Sequence, residues 1–211
     1  MVNQMKLAGF EPVLLHVPGL TEAIDRAWSL DDYVEWLNQE LKNENQPIII
    51  AHSNGGRIAL AFCAKYPGKV GKLVLVDAAG IYNNELRLRI KRKIFGTIAR
   101  IGRKFTDSDT LRKVLYKIVG ENDYKNANPI MRKTMENLLK VDLTAELEKI
   151  TAPTLIIWGR KDKATPLAGG RLINEKIKGS EIFVIKDAGH SPHFTHAEEV
   201  SQKIIDFIKI H

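Results

Sequence analysis

Ser53 stands where one kind of chain pattern gives way to another. In Ile48-Ile49-Ile50-Ala51-His52-Ser53-Asn54-Gly55-Gly56-Arg57-Ile58-Ala59-Leu60, an apolar run passes through small residues into a helical pattern. A serine hydroxyl is a weak nucleophile at neutral pH; it needs a base, and the base needs an orienting carboxylate. A strand that turns straight into a helix exposes the hydroxyl at the strand's carboxyl end. The backbone there is strained, and neighbouring segments pass so close that the flanking residues must be small. Ala51 and Gly55, two residues to either side, meet that demand. The Asn54 N–H, at the helix start, is placed to donate to a developing oxyanion. The competing reading is a glycine-rich turn that only packs helix on sheet or cradles a phosphate, but the dinucleotide spacing and its later acidic partner are missing.

The base and the acid are sought at the ends of later strands, in the chain order serine, acid, histidine. Asp162 follows Leu155-Ile156-Ile157-Trp158 and Gly159-Arg160-Lys161; His190 follows Ile182-Phe183-Val184-Ile185 and Lys186-Asp187-Ala188-Gly189. All three groups then emerge on one edge of the sheet, where open α/β sheets hold their sites. Asp77, after Leu73-Val74-Leu75-Val76, is the runner-up acid. Asp187 is expected to shape the turn presenting His190 through bonds to backbone. His52 is expected to point into the sheet. His193 and His196 lie near His190, but their spacing does not resemble a helical zinc motif, and no metal is assigned.

The elements that must position these groups alternate. The apolar runs Val13–Leu15, Ile48–Ile50, Leu73–Val76, Leu155–Trp158 and Ile182–Ile185 read as strands buried on both faces of a mostly parallel sheet. Helical patterns run over Leu30–Leu41, with Ser29 as N-cap, and over Gly55–Lys65, Pro166–Ile177 and Ala197–Ile208. The expected architecture is one α/β domain over residues 1–211, its sheet flanked by helices. A helical insertion at about 81–150 interrupts it, and Ala152-Pro153-Thr154 restarts the strand pattern.

The 211 residues carry a formal charge of +7, concentrated in that insertion. Between Glu85 and Lys140 there are 15 Lys/Arg against six Asp/Glu, so the rest of the chain is close to neutral. A solvated cationic face over an amphipathic insertion explains this better than nucleic-acid or anionic-membrane binding, because aromatic stacking motifs are lacking. No run of about 18 apolar residues occurs and the start lacks a signal-peptide core, so the expectation is a cytoplasmic protein without a transmembrane segment. Cys63, the single cysteine, is expected to be a packed thiol with no redox role.

With these segments in view, the chain resembles the α/β-hydrolase superfamily from about Ser29 onward. The resemblance rests on Ala51 to Gly56, Leu73 to Gly80, Pro153 to Asp162 and Ala188-Gly189-His190-Ser191-Pro192. It implies a Ser53/Asp162/His190 triad, a substrate-selecting cap formed by the insertion, and hydrolysis of a small-molecule ester or related acyl bond without a cofactor. A serine at the nucleophile position argues against the dehalogenases and epoxide hydrolases that use aspartate there.

The front of the chain departs from the family pattern, which has additional strands and a His-Gly loop donating a second oxyanion N–H. Phe10 to Leu20 looks more like the family's later Asp-x-Pro-Gly segment with His16 at the aspartate position, an N-terminally abbreviated form of the fold. Alternatively His16-Val17-Pro18-Gly19 has taken over the oxyanion loop. Val13–Leu15 would then pair beside Ile48–Ile50, and Val17, Gly19 or Leu20 would donate, since Pro18 has no N–H. The non-enzymatic alternative is a catalytically weak or inactive hydrolase fold that binds a small molecule or partner. Lost edge strands would also leave a sheet edge that a second copy, in a homodimer, could cover.

Overall fold

A computed structural model describes residues 1–19, 22–81 and 129–210. Four strands, β1 (Ile48–His52), β2 (Lys72–Val76), β3 (Thr154–Gly159) and β4 (Glu181–Ile185), form one parallel sheet in the order β1-β2-β3-β4. The helices are α1 (Val2–Leu7), α2 (Leu30–Glu40), α3 (Asn54–Lys65), α4 (Pro129–Leu139), α5 (Leu167–Lys176), α6 (Pro192–Thr195) and α7 (Ala197–Ile210), with a 3-10 turn at Leu147–Lys149. Of these, α1 was not anticipated from the sequence.

Alternation along the strands sorts the core into two layers. Leu73, Leu75, Ile156 and Trp158 face one side, packed with Tyr33 and Leu37 of α2, Phe62 of α3 and Ile173 of α5. Val74, Val76, Leu155 and Ile157 face the other, under Met5 of α1 and Val200, Ile204 and Phe207 of α7. Both faces being covered is why these strands read as unbroken apolar runs. Ser29 caps α2 as expected: its hydroxyl accepts from the Asp32 N–H, and the Asp32 carboxylate accepts from the Ser29 N–H at 2.7 Å. Such a reciprocal cap contributes about 1 kcal/mol.

Two expectations about the margins need correction or limits. Val13–Leu15 is not a strand: it pairs with nothing in the sheet, and Val13 and Leu14 are 81% and 69% exposed. Three apolar residues meet the pattern for a strand, but a strand needs a ladder partner, and β1 bonds only to β2 among the described residues. Of the expected cap at 81–150, residues 82–128 lie outside the described residues. Its last part packs into the main core through Met135, Leu138, Leu143 and Leu147. It is held there by Trp28 N–H donating to Thr134 Oγ1 at 3.0 Å and Asn137 Nδ2 donating to the Trp28 carbonyl at 3.1 Å.

Candidate active site

Ser53 ends β1 and caps α3 with φ 52° and ψ −118°, a left-handed conformation that a non-glycine residue adopts at a cost of order 1–3 kcal/mol. Three backbone bonds from neighbouring turns hold it there. Its N–H donates to the Val76 carbonyl at 3.2 Å, and its carbonyl accepts from Ala79 N–H at 2.9 Å and Arg57 N–H at 3.2 Å. The steric demand for small neighbours falls differently from the expectation. A Cβ on Gly55 would meet only the Ala51 methyl at 3.9 Å, an ordinary contact, whereas one on Gly56 would lie 2.5 Å from Ala78 Cβ and 3.0 Å from its Cα. Gly56 is therefore the residue that lets α3 approach the turn after β2.

From Ser53 a line of hydrogen bonds runs inward. Ser53 Oγ lies 3.0 Å from His190 Nε2, and His190 Nδ1 lies 2.9 Å from Asp162 Oδ2. Nδ1 carries the proton toward the carboxylate, which leaves Nε2 to accept from the serine hydroxyl. Burial works to lower the His190 pKa, but the hydrogen bond and charge of Asp162 outweigh it, so the imidazole is held above its ordinary value. Burial likewise works to raise Asp162, and the bonds from His190 and Thr165 outweigh it, so the carboxylate stays ionised.

Thr165 is the participant that the sequence reading missed. Asp162 Oδ1 accepts from the Ala164 N–H at 2.7 Å and the Thr165 N–H at 3.0 Å, while Thr165 Oγ1 donates to Asp162 Oδ2 at 2.6 Å and lies 3.2 Å from His190 Nδ1. An Asp followed three residues later by Thr is a turn pattern that could have shown it. The turn is anchored from below: Trp158, fully buried, donates its indole N–H to the Thr165 carbonyl at 2.8 Å. Gly170 of α5 lies against that ring, where a Cβ would fall 2.5 Å from Cε3.

Asp77, the runner-up acid, is also at the site but engaged otherwise. It is completely buried; Oδ1 accepts from the Gly159 N–H at 2.9 Å, and Oδ2 has no hydrogen-bond partner among the described residues. Burial, joined by repulsion from Asp162, pushes its carboxyl well above the carboxylate range. Asp187 does not shape the His190 turn: its carboxylate pairs with Lys161 Nζ at 2.7 Å, both largely exposed, because a lysine in reach competes with the backbone. His52 does not point into the sheet; its Nε2 lies 2.7 Å from the His190 carbonyl. The His193 ring packs tilted against it, centroids 4.3 Å apart, and its pKa is pushed down to about 4, by burial first and then by His52 and His190. His196 Nδ1 lies 2.9 Å from Thr195 Oγ1, and His16 is exposed.

The expected second oxyanion loop is partly committed elsewhere. The Gly19 N–H donates to the Glu22 carbonyl at 2.8 Å within its own turn, which corrects its assignment as a donor to substrate. Pro18 is tied to α2 by the Tyr33 hydroxyl at 2.7 Å, and Val17 packs its side chain against the same core. Asn54 opens α3, whose first N–H groups have no partner within the helix.

His52, Asp77 and His190 present atoms able to ligate a metal within 4.8 Å of one another. Both nitrogens of His190 are engaged by Ser53 and Asp162, so an ion there would compete with those two hydrogen bonds. Among the described residues no helix is long and apolar enough to cross a membrane.

The chain is 25% identical, over 98% of its length and 79% of the relative's, to a 2-hydroxy-6-oxononadienedioate/2-hydroxy-6-oxononatrienedioate hydrolase of Escherichia coli (strain K12 / DH10B). Among solved structures it resembles a membrane phospholipase A (TM-score 0.67, 22% identity, 92% of this chain and 68% of that one). It also resembles the meta-cleavage product hydrolase of Pseudomonas fluorescens IP01 (TM-score 0.61, 17% identity, 99% and 85%). At these identities the two structures speak for the fold alone. The sequence model of the alpha/beta hydrolase family matches residues 6–203, nearly the whole chain and every element that carries the Ser53 turn, and by that match the chain belongs to the family.

Proposed function

We propose that the chain is a serine hydrolase that cleaves carboxylic esters or related acyl bonds through an acyl-enzyme on Ser53. His190 Nε2 takes the hydroxyl proton as Ser53 Oγ bonds to the substrate carbonyl carbon, and then passes it to the leaving oxygen. Asp162 orients the imidazole and stabilises its charged form, and the Asn54 N–H donates to the oxyanion at the positive end of α3. Water, deprotonated by the same histidine, then releases the acid. The observation that carries this reading is the hydrogen-bonded line Ser53, His190, Asp162 at 3.0 Å and 2.9 Å, with Ser53 in its left-handed turn.

The test is hydrolysis of a short-chain p-nitrophenyl ester series by the chain and by Ser53→Ala. Loss of turnover on the order of 10⁶-fold in the variant is expected; equal rates in both, or none in the folded wild type, would turn the reading toward a hydrolase fold that only binds.

A second reading, hydrolysis of a carbon–carbon bond beside a ketone, is favoured by the name of the Escherichia coli relative. The nucleophile and base would be the same; the leaving group would be carbon, receiving its proton from the site. A 2-hydroxy-6-oxo-dienedioate offered beside the esters separates the two by which substrate is consumed with the higher kcat/KM.

A further inference from the structure

His52 closes a ring around the reacting pair. One peptide bond joins it to Ser53; Ser53 Oγ reaches His190 Nε2 at 3.0 Å; and the His190 carbonyl returns to His52 Nε2 at 2.7 Å. We propose that His52 is a positioning residue that keeps the His190 ring in register with Ser53 by clamping the His190 backbone to the nucleophile strand. This rests on the serine-hydrolase reading and adds to it a residue outside the triad.

The chemistry of the contact is one-sided. A carbonyl only accepts, so His52 Nε2 must carry the proton. Burial, the largest influence, works against protonation of His52, and the bond to His190 and the charge of Asp162 only partly oppose it, so the ring is held below its ordinary value. The groups facing it are His190, with ring centroids 4.9 Å apart, His193 at 4.3 Å, Asp77, whose carboxyl comes within 4.8 Å of a His52 nitrogen, and Asp162 through its charge. His193, itself pushed down to about 4, covers the ring as an uncharged partner at neutral pH. The clamp therefore keeps its geometry while His190 takes up and releases its proton.

Without it, the His190 backbone would be held through its neighbours, by Lys161 N–H on the Ala188 carbonyl at 2.9 Å and Phe194 N–H on the Ser191 carbonyl at 3.1 Å, with no bond to the strand that carries Ser53. A displacement of about 1 Å at a reacting group can cost on the order of 100-fold in rate. His52→Gln keeps a donor at the place of Nε2; His52→Phe keeps the ring packing and removes the donor; His52→Asn keeps an amide but falls short of the carbonyl. Two readouts are taken on each: the rate of fluorophosphonate labelling of Ser53, and the titration of the His190 ring followed by nitrogen NMR.

The expected result is labelling within about threefold of wild type for Gln, and a fall on the order of 10- to 100-fold for Phe and Asn. The His190 pKa should drop toward its ordinary value in the same two variants. Should Phe fail to fold, Asn decides. Wild-type labelling and an unchanged His190 titration in a folded Phe or Asn variant would overturn the clamp. Absence of labelling in the wild type would instead overturn the serine-hydrolase reading, and the His190 titration would still judge the clamp.

Discussion

Two regions of the molecule are built to different standards. On the side of β3 and β4, Asp162 accepts four hydrogen bonds, from Ala164, Thr165 twice and His190, over a buried Trp158 that fixes the turn. Along residues 10–19, Val13 and Leu14 face solvent and the Gly19 N–H serves its own turn. The contrast teaches where the geometry of the site is over-determined. The imidazole and its acid are held by many independent bonds, so their ionisation states are set by structure.

The largest break in this contrast is Asp162→Asn. It removes the ionised acceptor that keeps the proton on His190 Nδ1, and a loss of about 10⁴-fold in kcat is expected. The pH profile should change with it. In the wild type His190 is held above its ordinary pKa, so kcat/KM falls as pH drops through that raised value, where the ring becomes protonated and can no longer accept from Ser53. In the variant that acidic limb should move to lower pH; an unmoved limb would assign it to another group.

Next comes the turn itself. Gly56→Ala should destabilise the fold by about 1–3 kcal/mol, because the new methyl meets Ala78 across a close approach. Gly55→Ala, with only a 3.9 Å contact to make, should be tolerated. Denaturant unfolding of both variants checks the pair, and equal effects would refute the assignment of the close contact to Gly56.

Thr165→Val sharpens the comparison on the well-supported flank. It deletes one of four bonds to Asp162 and leaves the backbone ones, so a fall in kcat of roughly tenfold with KM unchanged is expected. The smallest effect belongs to residues 10–19. Leu14→Lys should change stability by less than about 0.5 kcal/mol and leave the ester rate as it was, since the side chain is already in water. A large loss would mean that this segment is covered by something in the working protein.

Much of this was legible in the sequence because it depends on local pattern. Apolar runs of the right length made β1 to β4, the Ser29 and Asp32 types made the α2 cap, and a serine between a strand and a glycine-rich helix start marked the turn. The order serine, acid, histidine at strand ends named three side chains that the fold brings within hydrogen-bond reach.

What the tertiary structure alone decided is a matter of partners distant in the chain. Val13–Leu15 has strand residues but no ladder, so it is no strand. Gly56 rather than Gly55 meets Ala78, because which glycine faces the turn after β2 depends on how α3 rotates against it. Asp162 and Asp77 both follow the ends of adjacent strands, and the sequence ranks Asp77 second. Burial leaves one carboxyl raised with an unpartnered oxygen, and four converging donors keep the other ionised. A residue type states what a group can do; its desolvation and its neighbours, which only packing assigns, determine which proton it holds.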